Sequence, residues 1–153
     1  MLSRLVNQAH PLGPDAKVLV LGGGYSGRCF ARLLNTLGTT VISTRRHPDT
    51  DSSDLTFDST TGVLPSFGDL KGISHVLCTI PPSQDGQDPA LECLGALLKN
   101  ISPVWVGYLS TTGVYGDHQG NWVSESDAAS PGQDRSRRRL ECEQAWLNSG
   151  LPV

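Results

Sequence analysis

Along the 153-residue chain, short continuous apolar runs alternate with longer stretches in which apolar residues recur at helical spacing. Val18-Leu19-Val20-Leu21 is the first run and predicts a buried strand. It stops at Gly22-Gly23-Gly24, after which Phe30, Leu33, Leu34 and Leu37 mark one face of a helix that Gly38 closes. Thr40-Val41-Ile42-Ser43 predicts a second strand, and Asp54 to Asp58 a short third one. Ser66 to Lys71 predicts a brief helix. Ile73 to Ile80 predicts a fourth strand, ended by Pro81-Pro82, because consecutive prolines cannot continue a central ladder. Asp88 and Pro89 stand as N-cap and first residue of a helix whose buried face is Leu91, Leu94, Leu97 and Leu98. Pro103 to Ser110 predicts a fifth strand, and Ser136 to Asn148 a last helix. Strand and helix signals alternating from end to end predict an α/β fold: a Rossmann-like, doubly wound parallel sheet of about five strands.

Composition narrows this picture. The length suits one domain, here 17–153, preceded by a leader over 1–16 that breaks at Pro11, Gly13 and Pro14. That leader lacks the apolar core of a secretory signal; Ser3 and Arg4, with no acid before Asp15, give it a slight likeness to an organelle transit peptide. No apolar run approaches the ~18 residues that span a membrane. A formal net charge of -3 and a pI near 5.7 argue against a nucleic-acid partner. Cys29, Cys78, Cys93 and Cys142 show no metal or dithiol spacing and read as small buried residues in a reducing, cytoplasmic setting. His10, His47, His75 and His118 are scattered, so no metal site is expected. Trp122 and Trp146 read as packing residues. At Leu151-Pro152-Val153 another strand would be starting. The expectation is therefore a sheet truncated before its sixth strand and substrate domain, or one that closes its open edge by pairing with a second copy as a homodimer.

The first turn carries the candidate chemistry. Gly22, Gly24 and Gly27 fill the G-x-G-x-x-G pattern of a dinucleotide-binding turn between a strand and a helix. Gly22 allows the tight turn, Gly24 lets the backbone approach a pyrophosphate, and Gly27 lets the helix pack close to the sheet. With Tyr25 and Ser26, they would hold the pyrophosphate at a helix N-terminus. The usual NAD fingerprint places an acid at the end of the second strand. Here that place reads Ser43-Thr44-Arg45-Arg46, which favours the 2′-phosphate of NADP over NAD, with Arg45 and Arg46 as its fork and Ser43 or Thr44 as a hydroxyl. Charge-assisted hydrogen bonds of about 1.5–3 kcal/mol each suffice for that preference. The other reading makes the arginines a solvated loop pair. Asp58 could take an adenine amino group or be an ordinary loop aspartate.

Tyr108-Leu109-Ser110-Thr111-Thr112-Gly113-Val114-Tyr115-Gly116-Asp117, with Trp122-Val123-Ser124-Glu125-Ser126-Asp127 behind it, resembles the extended short-chain dehydrogenase/reductases, the NAD-dependent epimerase/dehydratases, and their atypical members in particular. With the glycine turn, the resemblance runs from Lys17 to Leu147 and implies the N-terminal, cofactor-binding part of such a protein. It implies that Thr111, flanked by Ser110 and Thr112, orients and polarises a substrate carbonyl or alcohol, and that Thr79 and Pro81 lie along the nicotinamide ribose. Thr111 can also be read as a turn cap at the strand end. The family's Y-x-x-x-K would align with Arg135 and Arg139. Arginine cannot take the tyrosine's part as acid or base, whereas Arg139 could still hold a ribose hydroxyl or a phosphate. Tyr115 is the substitute phenol in sequence terms, although its place in the family is structural. In the run Arg135 to Arg139, Arg137 with Glu141 and Arg139 with Glu143 are spaced as helical ion pairs.

Two functions from different classes follow. One is an NADP-binding oxidoreductase or epimerase/dehydratase acting on a small carbonyl or sugar-type substrate. The other is a non-catalytic NADP(H) sensor or regulatory module.

Overall fold

In the computed structural model, which describes residues 12–49, 52 and 54–153, the first apolar run becomes β1 (Lys17–Leu21). Most of the expected leader lies outside the described residues. After β1 come α1 (Tyr25–Thr36), β2 (Thr40–Arg45), β3 (Leu55–Thr56), α2 (Phe67–Leu70) and β4 (His75–Cys78). The chain continues through α3 (Pro89–Ile101), β5 (Trp105–Tyr108), a single 3-10 turn (Thr112–Tyr115) and α4 (Asp134–Leu147). The strands form one parallel sheet in the order β3-β2-β1-β4-β5. This is the doubly wound arrangement that the alternation predicts.

β1 reads as an unbroken apolar run because both of its faces are covered. Val18 and Val20 pack with Leu34, Phe30 and Ala31 of α1 on one side. Leu19 and Leu21 point the other way, into a larger core with Val76, Cys78 and Val106 from the neighbouring strands. Leu70 of α2, Leu94 and Leu98 of α3 and Trp146 of α4 close that second face, each of them fully buried. Burying each such leucine contributes about 1.5–3 kcal/mol, and this burial is what seats α3 and α4 on the sheet.

Two helices are locked by one carboxylate. Asp88 caps α3 by accepting from Leu91 N–H at 2.8 Å through Oδ1, and its Oδ2 accepts from the buried Trp146 Nε1 of α4 at 2.9 Å. Beyond α4 the backbone turns back to the sheet, where Val106 N–H donates to the Pro152 carbonyl at 2.9 Å along the outer side of β5. Among the described residues, no helix is long and apolar enough to cross a membrane.

Several sequence expectations need correcting. Trp122 is wholly exposed, because it sits in the irregular stretch between the 3-10 turn and α4, with no sheet or helix face over it. Cys29 is exposed on α1, while Cys78 and Cys142 are buried. Neither i,i+4 pair of α4 forms: Arg137 bonds Asp134 one turn back, and Arg139 turns toward the end of β5.

Candidate functional site

The strand order places a crevice where β1 and β4 lie side by side and their following segments diverge, the usual position for a ligand on an open parallel sheet. Gly22 follows β1 and Thr79 follows β4, and they meet there. Gly22 has φ +98°, and an added Cβ would stand 2.7 Å from Thr79 Oγ1, so conformation and space both require glycine. Its N–H donates to Thr44 Oγ1 at 3.1 Å, and its carbonyl accepts from Thr79 Oγ1 at 2.7 Å. Gly23 N–H donates to the Thr44 carbonyl at 2.7 Å. A Cβ on Gly27 would overlap the Gly22 carbonyl oxygen, so α1 begins directly on top of the turn.

Gly24 is different, for nothing lies within 4 Å of the position its Cβ would take. Among the described residues no protein atom asks for glycine there; a ligand laid against the turn would. Gly24 gives α1 no side-chain cap, and the first turn of α1 carries no acidic residue. The helix thus presents open N–H donors and the positive end of its dipole to the crevice. These features fit a dinucleotide pyrophosphate.

A cleft of about 310 Å³ runs from this turn past Thr44, Arg45 and Arg46 to Phe57 and Ser59. The two arginines differ in what holds them. Arg45 Nη1 donates to Asp49 Oδ2 at 3.2 Å, and its Nε lies 2.8 Å from Asp54 Oδ2 in an ion pair without hydrogen-bond alignment. Arg46 is exposed at the rim of the cleft. Thr44 is 1% exposed, and its hydroxyl serves the glycine turn. Asp58 is buried and is not among the residues lining the cleft; its Oδ1 accepts from the Thr60 hydroxyl at 2.7 Å and from Thr60 N–H at 3.0 Å. Those bonds hold its carboxyl down at about 2.

A second cleft, of about 630 Å³, opens on the other side of Thr79 and Pro81, which line both. Its walls are Ser26 of α1, the segment from Leu109 to Gly113, and the N-terminal turns of α4 with Arg135 and Arg139. Gly113 lets the 3-10 turn meet α4, since a Cβ there would come within 2.7 Å of Ser136 Oγ. Thr111 is exposed to this cleft, and its Oγ1 accepts from Gly113 N–H at 3.3 Å, so the same hydroxyl caps the turn. Ser110 Oγ is buried without a hydrogen-bond partner among the described residues. Tyr115 lies within the 3-10 turn, half-buried, its carbonyl 3.0 Å from His118 Nε2; its phenol is not part of the cleft wall. Tyr25 projects into solvent at the start of α1.

Arg139 is held at the floor. Its Nη1 donates to the Leu109 carbonyl at 2.7 Å, and its guanidinium carbon stands 5.8 Å from the centre of the Tyr108 ring. Tyr108 stacks in turn on Trp146, with ring centres 5.8 Å apart. Burial pushes the Tyr108 phenol above its ordinary range, and the Arg139 charge only partly offsets that. A phenol so placed stays protonated. Arg138 bonds the Gln84 carbonyl across a smaller neighbouring cleft. Sequence reasoning missed the Thr44 bond to Gly22, the Asp88 bridge to Trp146 and the seat of Arg139 on Tyr108. Each joins residues far apart in the chain, and no local pattern signals such a pair.

No protein-family profile matches the chain, and no curated protein matches it. Solved structures do. A functionally unknown conserved protein from Silicibacter pomeroyi DSS is 36% identical with a TM-score of 0.74, over 88% of this chain and 49% of that one. MoeE5, solved in complex with UDP-glucose and NAD, is 24% identical with a TM-score of 0.68, over 88% of this chain and 49% of that one. UDP-N-acetylglucosamine 4-epimerase from Bacillus cereus is 20% identical with a TM-score of 0.70, over 89% of this chain and 50% of that one. The class defined by fold and crevice is the Rossmann-like α/β domain. Within it, the chain has the fold of the NAD-dependent epimerase/dehydratases and short-chain dehydrogenases, and it spans about half the length of the structures it matches.

Proposed function

We propose that this chain is the cofactor-binding part of an atypical short-chain dehydrogenase/reductase that binds NADP in preference to NAD and acts on a small carbonyl or sugar-type compound. The observation that carries the reading is the pair of clefts joined at Thr79 and Pro81. One lies under the glycine turn and the ends of β2 and β3, the other under the Ser110-Thr111-Thr112 segment. Gly22 to Gly27 would hold the pyrophosphate of a dinucleotide, with the first cleft open to its adenosine half and the second to its nicotinamide end. Arg46, at the rim, would receive the 2′-phosphate, while Arg45 braces the loop through Asp49 and Asp54.

The nicotinamide supplies or accepts hydride when bound. The protein's part is to orient the carbonyl and pass a proton. Thr111 is the hydroxyl placed to do so, since it is exposed to the cleft and can donate as well as accept. Among the described residues, no phenol, lysine, histidine or carboxylate lines this cleft. The proton therefore comes from solvent through Thr111, and turnover is slow compared with enzymes that keep a tyrosine and lysine there.

Parallel calorimetric titrations with NADP and NAD test the cofactor assignment. NADP binding at least ~10-fold tighter, as one charge-assisted pair would give, supports it; no binding of either at millimolar concentration overturns it. The second reading, a non-catalytic sensor of NADP(H), draws on the resemblance, which aligns Arg135 and Arg139 with the family's proton-relay pair, and is favoured by one observation: one arm of Arg139 is taken up by the Leu109 carbonyl, and arginine cannot serve as the acid or base. Thr111→Ala separates the two. Loss of NADPH oxidation across a panel of carbonyl compounds, with NADP affinity intact, supports the enzyme; a wild-type protein that binds NADP but turns over no member of the panel supports the sensor.

A further inference from the structure

The second cleft is basic in a chain whose net charge is -3. Arg135 and Arg139 stand in its wall, and Arg135, Arg138 and Arg139 together line the smaller cleft that adjoins it at Pro81. Among the described residues, no carboxylate comes within 4.0 Å of any of these three guanidinium groups. Glutamates were available on the same helix. Glu143 is one turn beyond Arg139, yet Arg139 is drawn to the Leu109 carbonyl and the Tyr108 ring instead. Arg138 likewise reaches across to the Gln84 carbonyl. Neutral acceptors aim and steady these groups without cancelling their charge.

The surrounding groups suit the same ligand. Ser26, Thr111 and Ser136 bring hydroxyls to the cleft wall, and Ser110 Oγ is buried there without a partner among the described residues. Gln133, the residue before α4, makes no side-chain cap, which leaves the N–H groups of Asp134 and Arg135 without a partner among the described residues, while Ser136 and Arg137 N–H donate to the Gln133 carbonyl and the Asp134 carboxylate is taken up by Arg137. Guanidinium forks, hydroxyls and free backbone N–H groups are all donors to oxygen, and among the described residues neither cleft wall contains an acid that would repel an anion.

We infer that the second cleft binds an anionic compound through a carboxylate or phosphate group clamped by Arg135 and Arg139 at the start of α4. The inference rests on reading this cleft as the substrate end of the dinucleotide crevice. It narrows the substrate class from any small carbonyl compound to one that carries an oxyanion next to the reacting carbon. An arginine at each of these positions then has a role that tyrosine and lysine could not fill: a permanent charge and a planar fork rather than a movable proton.

The test is titration of the purified chain with malonate and, separately, with inorganic phosphate in a buffer of otherwise weakly binding ions, monitored by calorimetry. Saturating NADP is present so that the glycine turn cannot report the added anion. Saturable binding of either probe is expected, weakened at least ~10-fold by Arg135→Gln, as loss of one bidentate contact implies. Arg32→Gln, on the exposed side of α1, leaves it unchanged. Malonate alone responding assigns a carboxylate, and phosphate alone a phosphate group. Absence of saturable binding by both probes, or binding that Arg135→Gln leaves intact, overturns the inference. NADP affinity measured on the same samples keeps the two ideas apart. NADP binding without Arg135-dependent anion binding removes only the clamp. In a sample that binds no dinucleotide, Arg135-dependent anion binding without NADP removes only the cofactor assignment.

Discussion

Three glycines of the first turn look alike in the sequence and serve different ends. Gly27 is required by the protein itself, because a Cβ there would enter the space of the Gly22 carbonyl. Gly27→Ala should destabilise the fold by about 1–3 kcal/mol, seen as a lower urea midpoint with an unchanged slope. Gly24 has free space where its Cβ would be. Gly24→Ala should therefore lower stability by less than about 1 kcal/mol, the difference between alanine and glycine as an N-cap. Its dinucleotide affinity should nevertheless fall severalfold on titration. An equal loss of stability in both variants, with affinity unchanged in Gly24→Ala, would mean that no ligand uses the turn. The G-x-G-x-x-G pattern was legible in the sequence because it is local. That Thr44 anchors it was not, since the bond from Gly22 spans the gap between two strands.

At the scale of elements, Asp88 decides how α3 meets α4. Asp88→Ala removes the cap of α3 and leaves Trp146 Nε1 buried without an acceptor. The expected cost is about 1–2 kcal/mol for the cap and about 1–3 kcal/mol for the unpaired donor. Asp88→Asn should restore only the first part, a difference that thermal unfolding can resolve. The segment after β3 shows the same economy of local bonds. The Asp58 carboxyl lies at about 2 because Thr60 donates to it twice, against about 4 in an unfolded chain. Between these values the unfolded chain binds more protons than the folded one, so stability rises with pH across that window. This contribution is complete above about pH 4 and is lost as pH falls through about 2. Asp58→Asn should flatten the slope of unfolding midpoint against pH in that window and leave it unaltered near neutrality.

For the whole molecule, the consequence of the doubly wound order is one continuous crevice with two chemically distinct ends. The end beneath β2 and β3 contains a braced arginine and an exposed one; the end beneath β5 and α4 contains a cluster of arginines set among hydroxyls. Arg46→Ala should reduce the ratio of NADP to NAD affinity by roughly tenfold, as loss of one charge-assisted contact implies, with little change in stability. Arg45→Ala should act differently. Because Asp49 and Asp54 would lose their shared partner, both cofactors should bind more weakly, with little change in their ratio. Competitive titration of the two variants distinguishes these outcomes. Pairing of two copies through an edge of the sheet is a proposal; on the outer side of β5 the Pro152 carbonyl already takes Val106 N–H, and sedimentation of the purified chain at several concentrations tests it.

Local patterns determined a great deal of this protein. The two-faced burial of β1, the breaks at Gly38 and Pro81, the Asp88-Pro89 helix start and the glycine turn each reside within one contiguous stretch, where spacing alone expresses the physics. The resemblance carried by the Ser110 to Asp117 segment extended that reading to the fold. Tertiary structure decided which side chains are occupied and which are open. It set Arg45 between two carboxylates, turned Arg139 from a helical ion pair to a carbonyl and a ring, left Trp122 in solvent and gathered two arginines, Arg135 and Arg139, into the cleft that Thr111 lines. The reason is that a charged side chain several bonds long can reach several partners. Which of them is nearest depends on strands and helices brought together from distant parts of the chain.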